Sequence, residues 1–221
     1  MKQDLSTSHE YTYTDPRSGH HHSYIAQPIL DLILSASPSH DLPPPREKSK
    51  LRILDLGCGN GSFTNFLASQ GFEVIGIEES ASGVELAQQN YPNCQFINGS
   101  IYNLELPELE HSFDLVISAE VVEHLFFPRE LPRIAKKLLK PGGHLILTTP
   151  YHGYFKNIAL SLSGKIDAHF TALWDGGHIK FFSVKTLTQL VTSEGFTNPQ
   201  FKFAGRIPYL WKSMICISTL V

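Results

Sequence analysis

The sequence predicts an α/β fold, with a doubly wound, mostly parallel sheet of seven strands and one antiparallel strand at its edge. The first observation is a short apolar run over 51–56 that ends in three alternate glycines. The second is that short apolar runs alternate with amphipathic stretches as far as residue 149. Apolar runs that stop at glycine are typical of buried parallel strands, and their alternation with helices predicts right-handed crossovers. In such a sheet the ligand lies at the carboxyl ends of the strands.

Length and composition limit both the architecture and the kinds of partner. The 221 residues suffice for one α/β domain with a modest accessory region. The formal charge is -3 and the basic residues are scattered, which argues against a nucleic-acid partner and favours a small-molecule substrate. Three widely spaced cysteines match neither a disulfide framework nor a zinc motif, and residues 1–10 contain no apolar signal core. These features predict a cytoplasmic protein and leave the oligomeric state open.

The chain divides into an N-terminal extension, 1–49, and a core domain, 50–221. The core domain carries an insertion, 151–182, that is rich in aromatic residues and histidine. Because this insertion follows the strand predicted over 144–149, it would lie at the ligand-binding edge of the sheet.

The sequence predicts a helix and a linker within the N-terminal extension. Three consecutive histidines at 20–22 are interpreted as a solvated or packed tract, because consecutive residues do not share one face of a helix. An amphipathic pattern from Ser23 predicts a helix that starts or breaks near Pro28. The proline-rich stretch 35–49 predicts a stiff linker into the core domain.

The glycine-rich turn is the most informative stretch for ligand chemistry. It consists of Gly57, Cys58, Gly59, Asn60 and Gly61. The glycines lack the Cβ atoms that would keep a ligand away from the backbone, so we expect N–H groups and a helix N-terminus to face it. Asp55 directly precedes the turn and would repel a phosphate. An aminoacyl ligand fits better, because its ammonium suits Asp55 and its carboxylate suits the turn N–H groups.

The remaining elements follow in order. An apolar run over 72–77 predicts the second strand, which ends in Glu78, and Ser80 is a suitable N-cap for the next helix. A lysine-rich helix end and a Pro-Gly-Gly turn precede the fifth strand. Further strands are predicted over 94–97, 113–118, 144–149, 200–203 and 214–220, and a further helix over 184–194. The last two strands would form a hairpin at one edge of the sheet.

The glycine turn with its preceding acid, the acid after the second strand and the Lys-Pro-Gly-Gly turn together resemble the class I S-adenosylmethionine-dependent methyltransferases. The resemblance covers about residues 50–150 and, to a lesser degree, 176–195. It implies a Rossmann-like methyltransferase fold, S-adenosyl-L-methionine as cofactor and methyl transfer as the activity.

The resemblance also implies roles for residues outside the glycine turn. Glu78 stands where the family keeps an acid for the two ribose hydroxyls, which a carboxylate can accept. The family usually places Asp at position 100 to hold the adenine amino group, whereas this sequence has Ser100. The Ser100 hydroxyl or the backbone of Ile101 would have to substitute. Ala119 and Glu120, after the fourth strand, complete the implied cofactor site.

The segment Glu-Val-Val-Glu-His-Leu at 120–125 closely resembles the Glu-Val-x-Glu-His segment of ubiquinone-biosynthesis O-methyltransferases. A hydroxyl acceptor must lose its proton, and imidazole basicity suits neutral pH. His124 is therefore the first candidate for the base, the alternative being a residue that only caps or packs. Glu120, Glu123 and His124 would share a helical face, so a divalent-metal site is the less favoured alternative and no metal is predicted.

The acceptor is predicted to bind against the insertion. His152 follows the fifth strand and is the second catalytic candidate, at a substrate mouth walled by Tyr151 and Tyr154. His178 lies in a His-x-x-Phe-Phe segment common in the resembled subgroup and is a further substrate candidate. Aromatic walls with imidazoles suit a flat, weakly acidic acceptor. The alternative is that the insertion only covers the core.

These observations favour O-methylation of a small aromatic or quinol-like acceptor. DNA amino-methyltransferases carry Asp/Asn-Pro-Pro-aromatic after the fourth strand, where this chain has Ser-Ala-Glu-Val. N- or C-methylation of another metabolite, and a catalytically silent cofactor-binding module, remain as alternatives. The apolar positions within 158–162 are too few to span a bilayer, but they would permit a peripheral membrane contact.

Overall fold

The computed structural model describes residues 11–17, 19–36 and 51–221. Seven helices in these ranges are α1 His22–Ala36, α2 Ser62–Ser69, α3 Ala81–Asn90, α4 Glu130–Leu138, α5 Tyr154–Leu162, α6 Ile166–Phe170 and α7 Val184–Thr192. The strands are β1 Arg52–Leu56, β2 Glu73–Glu78, β3 Gln95–Asn98, β4 Phe113–Ala119, β5 Leu139–Pro150, β6 Gln200–Ala204 and β7 Ser213–Thr219. Short 3-10 turns cover Pro107–Leu109 and Val122–His124. The predicted proline-rich linker falls, from residue 37 on, outside the described residues.

The strands form one sheet in the order β3-β2-β1-β4-β5-β7-β6. The pairs from β3 through β5 are parallel, whereas β7 pairs antiparallel with both β5 and β6. This confirms the predicted doubly wound, mostly parallel sheet and the predicted hairpin. The antiparallel strand is β7, which lies between β5 and the edge strand β6.

Helices cover both faces of the sheet, and side-chain alternation along β1 explains how. Leu54 and Leu56 pack into the core with α4 and α7, whereas Ile53 packs into the core on the opposite face with α1 and α2. Successive strand residues point to opposite faces, so a strand buried on both sides must be apolar nearly throughout. The polar exception in β1 is Asp55, which is buried on the face of α2 near the carboxyl end of the strand.

Helix α1 differs from its prediction. It runs unbroken from His22 to Ala36 with Pro28 inside it, rather than starting or breaking at that proline. Proline removes one helical hydrogen bond, but Ile25, Ile29 and Ile33 on one face are almost fully buried against the sheet. Tertiary packing of this apolar face therefore outweighs the local cost of the proline.

Two further local predictions are wrong. Glu120 adopts a positive φ of 57° and only Val122–His124 form a 3-10 turn, so Glu120, Glu123 and His124 do not share the face of a regular helix. Strand β5 begins at Leu139, directly after α4, so the Pro-Gly-Gly turn interrupts the strand instead of preceding it. The register with β4 shifts across this irregular stretch, which allows pairing to resume at His144.

The insertion folds into α5 and α6 and leaves much apolar surface in solvent. Leu162 is 85% exposed and Leu173 is 98% exposed. Other exposed large apolar side chains of the insertion are Tyr154, Phe155, Ile158, Ile166, Trp174, Ile179 and Phe181. Within the described ranges, the helices are all too short or too polar to cross a membrane.

Candidate active site

A cavity of about 950 Å³ lies at the carboxyl ends of the central strands. Residues at or just after the ends of β1, β2, β4 and β5 line it, namely Asp55, Leu56, Gly57, Ile77, Glu78, Ala119, Glu120 and Pro150. The volume is at the upper end of the range typical of small-molecule sites. Its position is the one that the doubly wound topology predicts for a ligand.

The glycine turn is held mainly by hydrogen bonds to the carboxyl end of β2. The N–H groups of Gly57 and Cys58 both donate to the Ile77 carbonyl, at 2.8 and 3.0 Å, and the Gly59 N–H donates to Glu78 Oε2 at 2.8 Å. The Gly61 N–H donates to the Cys58 carbonyl. These four N–H groups are therefore not directed at a ligand, which corrects the expectation that they receive a carboxylate.

The glycines are needed for close packing and for positive φ angles. A Cβ on Gly57 would lie 2.6 Å from Val121 Cγ2, and one on Gly61 would lie 2.7 Å from Ala87. Gly61 is not among the cavity-lining residues, and its contact with the cofactor stays a prediction. Its role is to let α2 approach α3 closely. Cys58, Gly59 and Asn60 do line the cavity.

Asp55 is a buried acid without a matching cation among the described residues. One carboxylate oxygen accepts a hydrogen bond from Thr64 Oγ1 at 2.6 Å. Burial raises the pKa of Asp55 to about 7, and the Thr64 hydrogen bond only partly opposes this rise. An ammonium group bound in the cavity would supply the missing positive charge. That Asp55 receives the ammonium of an aminoacyl ligand remains a prediction.

Glu78 holds two turns of the chain together. Its Oε2 accepts from the Gly59 N–H at 2.8 Å and its Oε1 accepts from the Ser80 N–H at 2.9 Å. Burial raises the pKa of Glu78, and these two backbone donors oppose the rise. Each carboxylate oxygen keeps a further lone pair, so acceptance of two vicinal hydroxyls remains open to this side chain.

The corner predicted to hold an adenine ring is lined by apolar and backbone groups. Gly99, Ile101 and Tyr102 line the cavity there. Ser100 does not line the cavity, and its hydroxyl accepts a hydrogen bond from the backbone N–H of Tyr102 at 3.3 Å. The contacts of Ser100 and Ile101 with the cofactor stay predictions.

An N-terminal segment, 11–17, crosses the glycine turn, which no sequence pattern predicted. The Asn60 amide donates to the carbonyls of Asp15 and Arg17, at 2.7 and 2.9 Å. Tyr13 lies against Gly59, where an added Cβ would meet its Oη at 2.8 Å, and the Tyr13 N–H donates to Ser82 Oγ. Periodicity cannot mark so short a segment, so only the tertiary contacts reveal that it covers the cavity.

His124 lines the cavity in a defined tautomeric state. Its Nδ1 lies 2.8 Å from the Gly176 carbonyl, which can only accept, so Nδ1 carries the proton and Nε2 keeps a lone pair. Burial lowers the pKa of His124, so the ring is neutral at neutral pH. A neutral imidazole with an available nitrogen is the form that a general base requires.

Glu123 is a buried acid whose carboxylate oxygens accept no hydrogen bond within 3.5 Å from the described residues. It is 0% exposed, and neither Oε1 nor Oε2 has a hydrogen-bond partner. The N–H groups of Ile179 and Lys180 donate to its backbone carbonyl, which brings His178 Nε2 within 3.9 Å of Glu123 Oε1. Burial raises the pKa of Glu123 well above its usual range.

The buried negative charge of the Glu123 carboxylate can be compensated in two ways. Protonation removes its charge, as the raised pKa indicates. A divalent cation would instead be held by Glu123, His124 and His178, whose ligand atoms lie within 4.8 Å of one another. This set differs from the predicted alternative, because His178 takes the place of Glu120. The carboxyl of Glu120 accepts from Thr148 Oγ1 at 2.8 Å, and its N–H donates to the same oxygen.

Only some of the residues predicted to contact the acceptor line the cavity. His152 and His178 line the cavity, and Phe170 stacks on the His152 ring at 5.8 Å with Phe181 edge-on at 5.1 Å. Burial lowers the pKa of His152 to about 4, and its buried Nδ1 has no partner in the described part of the chain. His152 is therefore neutral at pH 7.

The two tyrosines predicted to wall the acceptor site do not line the cavity. Tyr151 packs edge-on against Phe203 and Trp211, at 5.3 and 5.4 Å, on the side of β6. Tyr154 is 74% exposed on α5. Because neither tyrosine lines the cavity, their role as substrate residues stays a prediction. Lys156 of α5, which was not singled out in the sequence, does line the cavity.

Comparison with known proteins is consistent with this geometry. Residues 20–200 match the family model described as "Methyltransferase domain". A mitochondrial ubiquinone biosynthesis O-methyltransferase from Rattus norvegicus is 35% identical over 127 residues, covering 55% of this chain and 36% of the relative. The Homo sapiens protein of the same name is 31% identical, covering 76% of this chain and 47% of the relative. The chain spans about a third to a half of the length of these curated relatives.

Solved structures share the fold at low sequence identity. A protein from Pyrococcus horikoshii superposes with a TM-score of 0.67 at 19% identity, covering 95% of both chains. The magnesium protoporphyrin IX methyltransferase from Synechocystis, solved with bound SAH, has a TM-score of 0.65 at 18% identity and covers 95% of this chain and 91% of that one. These likenesses support the doubly wound methyltransferase architecture.

Proposed function

This chain belongs to the S-adenosylmethionine-dependent methyltransferase family, and we propose that it methylates a hydroxyl of a small aromatic or quinol-like acceptor. One observation above all supports a hydroxyl acceptor: His124, fixed by its Nδ1 bond to Gly176, offers a neutral Nε2 in the same cavity as Asp55 and Glu78. Methylation of an amine that is already neutral would not require such a base.

The cavity has two ends: a cofactor end, lined by Asp55 and Glu78, and an acceptor end, lined by His152 and Phe170. When bound, S-adenosylmethionine would supply an electrophilic methyl group on its sulfonium. Asp55 would bind the ammonium of its aminoacyl end, and Glu78 would accept from its ribose hydroxyls. The acceptor would lie against His152 and Phe170, with its hydroxyl toward His124, which takes up the proton. Alignment in a cavity that excludes water accounts for most of the rate enhancement in such a transfer.

Relatives support the acceptor class only indirectly. Several curated ubiquinone biosynthesis O-methyltransferases match this chain, including one from Rickettsia akari at 36% identity over 108 residues. Because the match covers 42% of that relative, its activity does not transfer to this chain without a test. N- or C-methylation and a silent binding module are therefore the alternatives that the experiment must separate.

The test uses S-adenosylmethionine labelled with ¹³C in its methyl group and catechol as the first acceptor. We expect the label in a methoxy carbon of the product, detected by NMR, and its absence when excess S-adenosylhomocysteine is present. Label on nitrogen or carbon of another acceptor in a metabolite extract would favour the alternative methyltransferases. Cofactor binding without a labelled product would favour the silent module. Repeating the reaction with EDTA, then with added Mg²⁺ or Zn²⁺, distinguishes a protonated Glu123 from a cation-binding one.

We also propose that the insertion contacts a membrane surface. Supporting this are apolar side chains that project from α5 and the loop after α6, with Leu162 and Leu173 almost fully exposed. Burial of a leucine contributes about 1.5–3 kcal/mol, so a few such side chains suffice for weak interfacial binding. A lipid-borne quinol-like acceptor would then reach the cavity from the bilayer side.

Sedimentation with phosphatidylcholine vesicles tests the membrane contact. Replacing Leu162 and Leu173 together with glutamate is expected to reduce the vesicle-bound fraction about tenfold or more, because two apolar contacts become charged. Leu34→Glu is the control, since Leu34 is an exposed leucine on α1. Equal binding by all three proteins, or no binding by the wild type, would argue against the contact.

A further inference from the structure

Lys156 is a buried ammonium at the acceptor end of the cavity. It is 5% exposed, it lines the cavity, and its Nζ donates to the Tyr151 carbonyl at 2.7 Å. Tyr151 directly follows β5, so this bond fixes the charge at the carboxyl end of that strand. One hydrogen bond uses one of the three donors of an ammonium, and the others have no acceptor among the described residues.

Within the described residues, no carboxylate lies within ion-pair distance of Lys156. Glu120 attracts it from farther away, but burial and repulsion by Arg206 outweigh that attraction and lower the pKa of Lys156 to about 8. At pH 7 the amine is therefore still about nine-tenths protonated. A buried charge without a partner is costly, and a bound anion would remove the cost.

Basic residues predominate in the cavity wall around Lys156. Lys156 comes from the insertion, and Arg206 and Lys212 come from the connection between β6 and β7; all three line the cavity. The two acids of the insertion, Asp167 and Asp175, do not line it. The imidazoles of the same wall, His152 and His169, are neutral at pH 7 because burial lowers the pKa of both. This side of the cavity therefore presents cations and aromatic rings. The cavity-lining carboxyl that attracts Lys156 from farther away is Glu120, which accepts a hydrogen bond from Thr148 Oγ1.

Building on the acceptor side of the proposed function, we propose that Lys156, assisted by Arg206, binds an anionic oxygen group on the acceptor. A carboxylate attached to an aromatic ring fits this wall, because the ring would stack on Phe170 and His152 while the carboxylate meets the ammonium. A charge-assisted hydrogen bond in a desolvated site is strong. Lys156 is then a specificity-determining residue that selects acidic over neutral acceptors.

The competing explanation is that Lys156 only secures the Tyr151 carbonyl. A purely structural lysine would influence all ring ligands equally, whereas a recognition residue would influence only anionic ones. Benzoate and benzamide separate the two cases, since they share ring shape and size but differ in charge. Neither offers a hydroxyl, so the comparison does not depend on methyl transfer.

The experiment is calorimetric titration of the full chain with benzoate and with benzamide, each with and without saturating S-adenosylhomocysteine. We expect the wild type to bind benzoate at least about tenfold more tightly than benzamide, which corresponds to one charge-assisted hydrogen bond. Lys156→Met should abolish this preference, Lys156→Arg should largely retain it, and Lys165→Met, at an exposed lysine of the same insertion, should leave it unchanged.

Each outcome has a defined meaning. Equal or undetectable binding of both ligands by the wild type, or a preference that survives in Lys156→Met, would overturn the inference. Because the preference is also measured on the protein without S-adenosylhomocysteine, failure of that nucleoside to bind would refute the proposed cofactor site while the role of Lys156 is still decided. If Lys156→Met does not fold, Lys156→Arg and the wild-type comparison decide.

Discussion

Replacing Gly59 with valine is expected to weaken the binding of S-adenosylhomocysteine by about a hundredfold or more. Gly59 has a φ of 56°, a conformation that costs a β-branched residue on the order of 1–2 kcal/mol. Its new Cβ would also lie 2.8 Å from Tyr13 Oη and 3.1 Å from Tyr13 Cζ. Relief of this strain must move the turn or Tyr13, and either movement displaces the walls of the cofactor end of the cavity.

Gly142→Val is the matched control for this substitution. Gly142 has a φ of 76°, but nothing lies within 4 Å of an added Cβ, and it is far from the cavity at the start of β5. We expect a smaller loss of stability than in Gly59→Val, because only the positive φ is unfavourable here, and we expect unchanged affinity in calorimetry. Equal affinities in Gly59→Val and the wild type would show that the glycine turn does not adjoin the cofactor.

Replacing His124 with glutamine is expected to lower kcat by about a hundred- to ten-thousandfold, the usual contribution of a general base. Glutamine retains a donor for the Gly176 carbonyl but has no nitrogen that can take up a proton. Because the side chain lies at the acceptor end, affinity for S-adenosylhomocysteine should change little. Steady-state kinetics with the acceptor found in the labelling experiment provides the measurement.

His111→Gln supplies the control for that variant. The Nδ1 of His111 also bonds a backbone carbonyl, that of Leu139 at 3.0 Å, but the residue is exposed and does not line the cavity. Its kcat should equal that of the wild type. A decrease of less than about threefold in His124→Gln would assign His124 to packing and would favour an acceptor that is already deprotonated.

The sheet could be predicted because strands buried on both faces must be apolar, so β1, β2, β4 and β5 read directly as short apolar runs. The site could be located from the same logic, since Asp55, Glu78 and His124 each follow or end such a run. Sequence alone could not tell which acceptors bind the backbone N–H groups of the glycine turn. The Ile77 carbonyl and the Glu78 carboxylate occupy its N–H groups, and those contacts depend on how β2 lies beside β1.

The acceptor side was harder to predict for a different reason. Its residues lie on irregular segments and short helices, where a shift of one position reverses what faces the cavity. Tyr151 and Tyr154 looked like walls by composition, yet one packs against Trp211 and the other is exposed. Lys156 looked like an ordinary surface lysine, because the hydrophobic pattern does not reveal that a charged residue at the start of α5 is buried.

The location of the N-terminal segment, residues 11–17, could not be predicted from the sequence either. Tyr13 and Asp15 belong to a polar stretch without periodicity, which predicts irregular structure, and the segment does lack helix and strand. What the sequence does not reveal is its location across the glycine turn, which depends on the Asn60 amide bonds to the backbone of this segment.

The central claim is that S-adenosylmethionine and a hydroxyl acceptor share the cavity at the carboxyl ends of β1, β2, β4 and β5. A crystal structure of the chain with S-adenosylhomocysteine and catechol tests it most directly. We predict the ribose hydroxyls within about 2.5–3.0 Å of the Glu78 carboxylate, the amino group at Asp55 and a catechol oxygen within hydrogen-bond distance of His124 Nε2. A nucleoside bound elsewhere, or a catechol held away from His124, would contradict the account.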